Sequence, residues 1–250
     1  MICVIMQPTY LPWMGYFDLI DQADTFVFLD HVQIVKRSWG VRNRIKNQDK
    51  ELMLTAPVVS IGSTREISYS TAQLSQHENW RKKHLDSIRH AYGRAKFFAE
   101  VYSDLESLIS REYDSLGKLN SSIIIFIANK MGITKSICYS SGMKDVEGIK
   151  DIMLVSICKK MQADTYLSPI GSADYIEKES SGGAFVPAGI ELYYQNFKFP
   201  TYAQLGNNFL SHLSVIDLLM NCGYEAALEI IRSGRRDNIS FKDISKFLTV

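Results

Sequence analysis

The chain has 250 residues, 46% of them apolar and 22% charged, a composition that supports a sizeable buried core. Its formal net charge of +1 gives no global field to attract nucleic acid or a membrane surface. No apolar stretch approaches the roughly 18 residues of a membrane span, and no leader is expected, because one residue precedes the first apolar run and Pro8 follows it.

In chain order, Ile2-Cys3-Val4-Ile5-Met6 and Thr25-Phe26-Val27-Phe28-Leu29 are short and apolar at consecutive positions. That pattern predicts strands buried on both faces. Between them Trp13, Phe17 and Ile20 fall at i, i+4 and i+7, which predicts a helix. Residues 52–61 read as a strand interrupted by Pro57, and the alternating segment 63–75 as a further strand. Trp80, His84, Ile88 and Tyr92 repeat every fourth position and predict a helix over 78–92. Residues 96–131 hold two or more helices, with a break expected near Gly117 and an N-cap at Asn120-Ser121-Ser122.

A strand–helix rhythm then returns. Strands are expected at 137–140, 165–168 and 189–194, helices at 145–162, around Tyr175 and Ile176, and after Ser214 and Tyr224. The last 17 residues are polar and read as a loosely docked tail. The expected fold is α/β: a mostly parallel, doubly wound, Rossmann-like sheet with helices on both faces. One domain over 1–250 is expected, with a helical insertion at about 76–131 and a helical tail at about 214–250. In such sheets ligands bind at the carboxyl ends of the strands.

Cys3, Cys138, Cys158 and Cys222 are scattered, without metal-like spacing, and read as reduced thiols of a cytoplasmic protein. No metal is expected, since no His pair or Asp-rich loop has ligand spacing.

Several blocks resemble the WbqC family. They are Gln7-Pro-Thr-Tyr10-Leu-Pro-Trp13-Met-Gly15-Tyr16-Phe-Asp18, Lys36-Arg-Ser-Trp39 with Arg42-Asn43-Arg44, and Trp80 with His84. Tyr166-Leu-Ser168 with Gly171 and Tyr175, Tyr202 with Gln204, and Leu213-Ser-Val-Ile-Asp217-Leu-Leu with Gly223 continue it in order. Two positions depart from the pattern. Asp30-His31 stands where an acidic pair is expected, and Val41 where an asparagine is expected. The resemblance implies a bacterial cytoplasmic protein of surface-polysaccharide (O-antigen, lipopolysaccharide) synthesis. It further implies acyl or aminoacyl transfer to the amine of a nucleotide-linked amino sugar.

The residues themselves allow several chemistries. The loop from Gln7 to Gly15 enters a helix N-terminus, where free N–H groups favour phosphate; Gln7, Tyr10 and Trp13 add polar and stacking surface. A structural Pro/Gly turn is the alternative. The loop is also loosely similar to the first loop of HIGH-type ligases, but Trp13-Met14-Gly15-Tyr16 has neither of their histidines, which counts against an ATP-dependent ligase. Lys36, Arg37, Arg42 and Arg44, with Trp39 and Asn43, suit a pyrophosphate or the phosphopantetheine thioester arm of an acyl or aminoacyl carrier protein. They equally suit a solvated basic loop. A nucleic-acid partner is not expected, because the rest of the chain is not basic.

His84 is the candidate base, expected to face the cleft formed by the loop after the first strand; a satisfied core histidine is the competing reading. Asp30 with His31 is an alternative base, whereas His77, His90 and His212 lack supporting context. Ser168, Gly171 and Tyr175 suit a sugar or a second phosphate. Gln204 and Asp217 are either substrate ligands or internal partners. Without a nucleophile elbow or an activated cysteine, direct transfer is expected rather than a covalent acyl-enzyme. A non-catalytic nucleotide-sugar or carrier-binding module is the alternative from another class.

Overall fold

The computed structural model describes residues 1–35, 37–59, 67–76 and 79–247. Both early apolar runs become neighbouring parallel strands, β1 (Ile2–Met6) and β2 (Thr25–Phe28), in register from Cys3↔Thr25 to Met6↔Phe28. Their consecutive apolar residues serve two cores. Val4, Phe26 and Phe28 point to one face; Cys3, Ile5, Val27 and Leu29 point to the other. Each such side chain withdrawn from water contributes roughly 1.5–3 kcal/mol, which explains why neither run alternates with polar residues.

Between them lies α1 (Met14–Gln22), buried over its first seven residues against the sheet and α7 (Val215–Gly234). After β2 the chain leaves the main sheet. It forms a two-stranded antiparallel hairpin, β3 (Arg42–Asn47) with β4 (Lys50–Thr55). Three helices follow: α2 (Trp80–Tyr92), α3 (Phe98–Ile109) and α4 (Leu116–Lys130). The chain then returns through β5 (Ser136–Tyr139), α5 (Lys150–Lys160), β6 (Thr165–Ser168), α6 (Ala173–Ile176), β7 (Glu191–Tyr194), α7 and β8 (Ile239–Ser240).

The six-stranded sheet runs β5-β2-β1-β6-β7-β8. All pairs are parallel except β7–β8. Counted within this sheet alone, the order is 3-2-1-4-5-6, the doubly wound Rossmann order. The winding direction reverses between β1 and β6, so their carboxyl ends splay apart and open a crevice there.

Several boundaries differ from the expectations, each for a physical reason. The basic block at 42–47, read as a loop, is β3: its alternation buries Asn43 and Ile45 while Arg42 and Arg44 share the opposite face. β4 stops at Thr55, before Pro57, and joins the hairpin rather than the main sheet. The strand expected at 63–75 lies partly outside the described residues; its described part makes only isolated bridges, Gln33↔Ser68 and Val58↔Leu74.

The break in the insertion precedes Ser115, whose Oγ accepts from the Lys118 N–H at 3.2 Å, so Ser115 rather than Asn120 is the cap. The helices expected after Ser214 and Tyr224 are both present, and they meet at Gly223, whose φ of 79° and ψ of 169° are non-helical, so α7 is two helices joined across a kink. As far as Phe247 the polar tail is docked rather than loose. Ile239 and Ile244 are buried and β8 completes the sheet edge, because apolar side chains at sparse positions suffice for an edge strand.

Gly117 sits inside α4 where the helix meets the backbone at Tyr69. Its N–H donates to the Tyr69 carbonyl at 2.9 Å, and an added Cβ would lie 2.7 Å from that oxygen. Backbone cannot rotate away as a side chain can. Gly117→Ala is therefore expected to lower unfolding free energy by about 1–3 kcal/mol, the usual cost of overpacking, measured by urea titration.

Candidate functional site

The loop after β1, residues 7–12, stands at the switch point. It is held from three sides. Buried Asn43 of β3 donates from Nδ2 to the carbonyls of Leu11 (2.9 Å) and Tyr10 (3.3 Å). Buried Asn120 of α4 donates from Nδ2 to the carbonyls of Pro8 and Gly40, both at 2.8 Å. The Tyr10 N–H donates to the Trp39 carbonyl at 3.1 Å. Leu11, fully buried, takes a positive φ of 47°, a conformation unfavourable for a bulky side chain that persists only because these bonds over-determine it.

Gln7 opens the loop. Its backbone carbonyl accepts from the Tyr16 hydroxyl (3.0 Å) and its Oε1 from the Tyr69 hydroxyl (3.1 Å). Burial pushes both phenols above their ordinary range, so they remain donors. The residue is otherwise exposed.

Two cavities flank this loop and share Met6 and Thr9 as lining residues. One, of about 280 Å³, lies among Trp13, Tyr16, Trp39, Arg44 and His212. The other, of about 250 Å³, lies toward β6 among Gln7, Tyr166, Ser172 and Tyr175. The buried Thr9 Oγ1, at their junction, has no hydrogen-bond partner. The first cavity is aromatic. Trp13 packs edge-on to Phe197 and stacks near His212, while Trp39 is 49% exposed with the Arg44 guanidinium 5.4 Å from its ring centroid.

The sequence-predicted residues divide sharply. Gln7, Trp13, Trp39, Asn43, Arg44 and Tyr175 line the crevice. Arg44 is not a free cation, because Glu51 accepts from its Nη1 at 3.0 and 3.1 Å. Arg42 and Arg37 line neither cavity: Arg37 is exposed with φ of 61°, and Arg42 is half-buried with its Nε unpartnered. The expected arginine grip is therefore dispersed. Lys36 and His77 lie outside the described residues.

Gly15 does not open the α1 N-terminus to phosphate. A Cβ there would lie 2.2 Å from the Trp13 ring, so the glycine makes room for the chain's own indole. Tyr10 is fully buried beneath the loop. Ser168 is buried at the end of β6, and Gly171 is exposed beyond it with open space around its Cα.

The candidate bases are turned inward. His84 is 6% exposed, packed edge-on to Trp80, with Nδ1 2.9 Å from the Tyr10 hydroxyl. It lies under the loop rather than facing the crevice. Burial pushes its imidazole down to about 4, against a smaller opposing effect of the Thr55 backbone, so the ring is neutral and accepts from Tyr10. Asp30 is spent on the turn after β5: Oδ1 accepts from Ser141 N–H (2.8 Å) and Ser140 Oγ–H (3.1 Å), and Oδ2 from Ser141 Oγ–H (2.6 Å). His31 meets Ser140 Oγ at 2.6 Å, and burial lowers its pKa.

Gln204 and Asp217 are internal partners. Asp217, fully buried, accepts from the Tyr92 and Tyr202 hydroxyls, both at 2.8 Å, and burial raises its pKa. Gln204 exchanges bonds with the Leu210 backbone and donates to Tyr202.

Sequence reading passed over Asn120, Tyr69, Thr9, Ser172 and His212. Nothing in their local spacing marks them; the fold brings Thr9, Ser172 and His212 to the crevice and sets Asn120 and Tyr69 against the loop that forms it. His212 is exposed, with φ of 58°, and its Nδ1 is 2.8 Å from Ser211 Oγ. Among the described residues no cluster of three or more His, Cys, Asp or Glu is placed to hold a metal, and no helix is long and apolar enough to cross a membrane.

Sheet order and crevice together define a doubly wound α/β protein with a cleft at the switch point. Within that class the chain belongs to the WbqC-like protein family, whose model matches residues 7–229. It is similar to the uncharacterized protein Rv1507c of Mycobacterium tuberculosis, 30% identical over 224 residues, covering 89% of this chain and 94% of that protein. No solved structure matches the chain.

The depressed His84 pKa carries a pH signature. Unfolded chains protonate this imidazole below about 6.5, whereas the native state resists until about 4. Stability must therefore fall as pH drops through that window. His84→Gln removes the contribution, so the wild-type unfolding free energy should decline relative to the variant's by up to about 3 kcal/mol between pH 7 and 4. Parallel denaturation curves for the two proteins across the range would refute it.

Proposed function

We propose that the crevice binds a nucleotide-linked amino sugar and that the protein transfers an acyl or aminoacyl group to its amine in surface-polysaccharide synthesis. The observation that carries this reading is the pair of cavities meeting at Met6 and Thr9 on the switch point. A ligand with two unlike halves fits two unlike cavities. Trp39, half exposed, offers a face to a planar base, worth about 1–3 kcal/mol for the stacked ring. Gln7, Ser172 and Tyr175 offer amide and hydroxyl groups to a sugar.

The donor in this reading is an activated acyl group, for instance the phosphopantetheine thioester of a carrier protein. The sugar amine, once deprotonated, attacks the thioester carbonyl; the N–C bond forms, the C–S bond breaks, and the thiolate leaves and takes up a proton. His212 is the crevice-lining imidazole, and with Nδ1 turned to Ser211 its Nε2 is the position for accepting the amine proton. His84 supports the loop through Tyr10 instead.

A second reading, a binding module without catalysis, is favoured by one observation. The crevice is largely neutral, and its one arginine is already paired with Glu51. One experiment separates the two. Purified protein is incubated with nucleotide-linked amino sugars and acyl or aminoacyl thioesters, products are read by mass spectrometry, and affinity is read by calorimetry. Trp39→Ala should weaken nucleotide-sugar binding by about 1–3 kcal/mol, the loss of one stacked ring. Binding without product selects the module; unchanged affinity in the variant removes the aromatic cavity from the site.

A further inference from the structure

The cavity toward β6 is polar but uncharged. Among the described residues no acidic or basic side chain lines it. Thr9 Oγ1 and the Tyr166 ring are buried, so the polar side chains open to a ligand there are Gln7, Ser172 and Tyr175. Burial pushes the Tyr175 phenol up, so it too stays neutral.

The Gln7 amide is not free to turn, because its Oε1 accepts from the Tyr69 hydroxyl at 3.1 Å. Tyr69 is itself fixed. It is fully buried, its backbone carbonyl accepts from the Gly117 N–H at 2.9 Å, and its hydroxyl sits against Gly40, where an added Cβ would lie 2.2 Å from the oxygen. The Ser38 hydroxyl donates to the same phenol, a smaller effect than burial on its pKa. A phenol oxygen that accepts from Ser38 gives its own proton to Gln7 Oε1. Nε2, which makes no hydrogen bond among the described residues, is thereby the open end of an exposed side chain. An amide nitrogen donates and cannot accept.

Such a lining suits a neutral acceptor. An ammonium group there would lose water with no carboxylate to replace it, and would face the N–H groups of Gln7. We infer that Gln7 is a specificity residue of this cavity: Nε2, oriented by Tyr69, donates to the carbonyl oxygen of an acylamino substituent on the bound sugar. The cavity then holds an acylated amino sugar in preference to the ammonium form. Tyr69 is a positioning residue that acts through Gln7. On the reading of the crevice as a nucleotide-sugar site, on which this assignment rests, the group recognised is the one that transfer creates, and the substrate amine enters uncharged.

The test uses the full chain. Uridine diphosphate, UDP-N-acetylglucosamine and UDP-glucosamine are titrated by calorimetry at a pH where the glucosamine nitrogen is an ammonium, and the Gln7 side-chain amide is followed by NMR. The acetylated sugar is expected to bind about tenfold more tightly than the aminated one, the scale of one hydrogen bond in a desolvated site, and to move the Gln7 resonance. Tyr69→Phe keeps the ring and removes the hydroxyl. It should cut that preference by about threefold or more while uridine diphosphate binds as before, a ratio that a purely structural role would leave unmoved. Gln7→Glu, at an exposed position, should abolish or reverse the preference, since a carboxylate accepts from an ammonium and repels a carbonyl oxygen.

Equal wild-type affinity for the two sugars would overturn the assignment and leave the reading of the crevice in place. So would a preference that survives in folded Gln7→Glu. A preference lost in Gln7→Glu but kept in Tyr69→Phe would remove the positioning role of Tyr69. Failure of all three nucleotides to bind would overturn the reading of the crevice and this assignment with it.

Discussion

Four carbonyl oxygens held by two buried side-chain amides carry the architecture of the candidate site. Asn43 and Asn120 approach the loop after β1 from the hairpin and from α4 and fix Pro8, Tyr10, Leu11 and Gly40 relative to one another. A loop of this length cannot satisfy its own backbone, and buried carbonyls without donors are costly. The hairpin and the helical insertion supply those donors. They are thus part of the mould for the crevice, even though they stand outside the main sheet. Asn120 carries a cost in the same arrangement, since its Oδ1 has no partner.

The buried charges act as cross-links. Asp18 accepts from Gln22, Gln195 and Arg235, joining α1 to the segment after β7 and to the end of α7. Asp30 joins the ends of β2 and β5, and Asp217 joins α7 to α2 and to Tyr202. Each carboxylate has two or three donors, the condition under which a buried charge is tolerable. Their engagement explains why the crevice is nearly neutral. The chain's buried ionisable groups hold the frame, and the open cavity is left to aromatic rings, amides and hydroxyls.

The long N-terminal motif illustrates how one stretch of sequence serves both purposes. Gln7 and Trp13 reach the cavities, whereas Tyr10, Gly15 and Asp18 are spent on supporting them. The same division runs through the basic block: Asn43 is a staple, Trp39 a cavity wall, and Arg44 half of an ion pair.

The sequence by itself determined the doubly wound sheet, the helix face Trp80-His84-Ile88-Tyr92 and the crevice edge. Hydrophobic periodicity is a local record of which faces meet a core, and it survives in one dimension. Family membership was legible for the same reason, in contiguous residues such as 7–18. The tertiary structure alone decided which motif residues face the crevice. Spacing places His84 on a buried face but cannot say what that face meets; it met Tyr10 and Trp80 instead of the cavity. It also decided that β3 forms from a run as polar as Arg42–Asn47, since partner strand and buried neighbours outweigh weak local preference there. Pairings such as Asn120 with Pro8, 112 positions apart, leave no trace in spacing, because only the packed insertion brings them within a hydrogen bond.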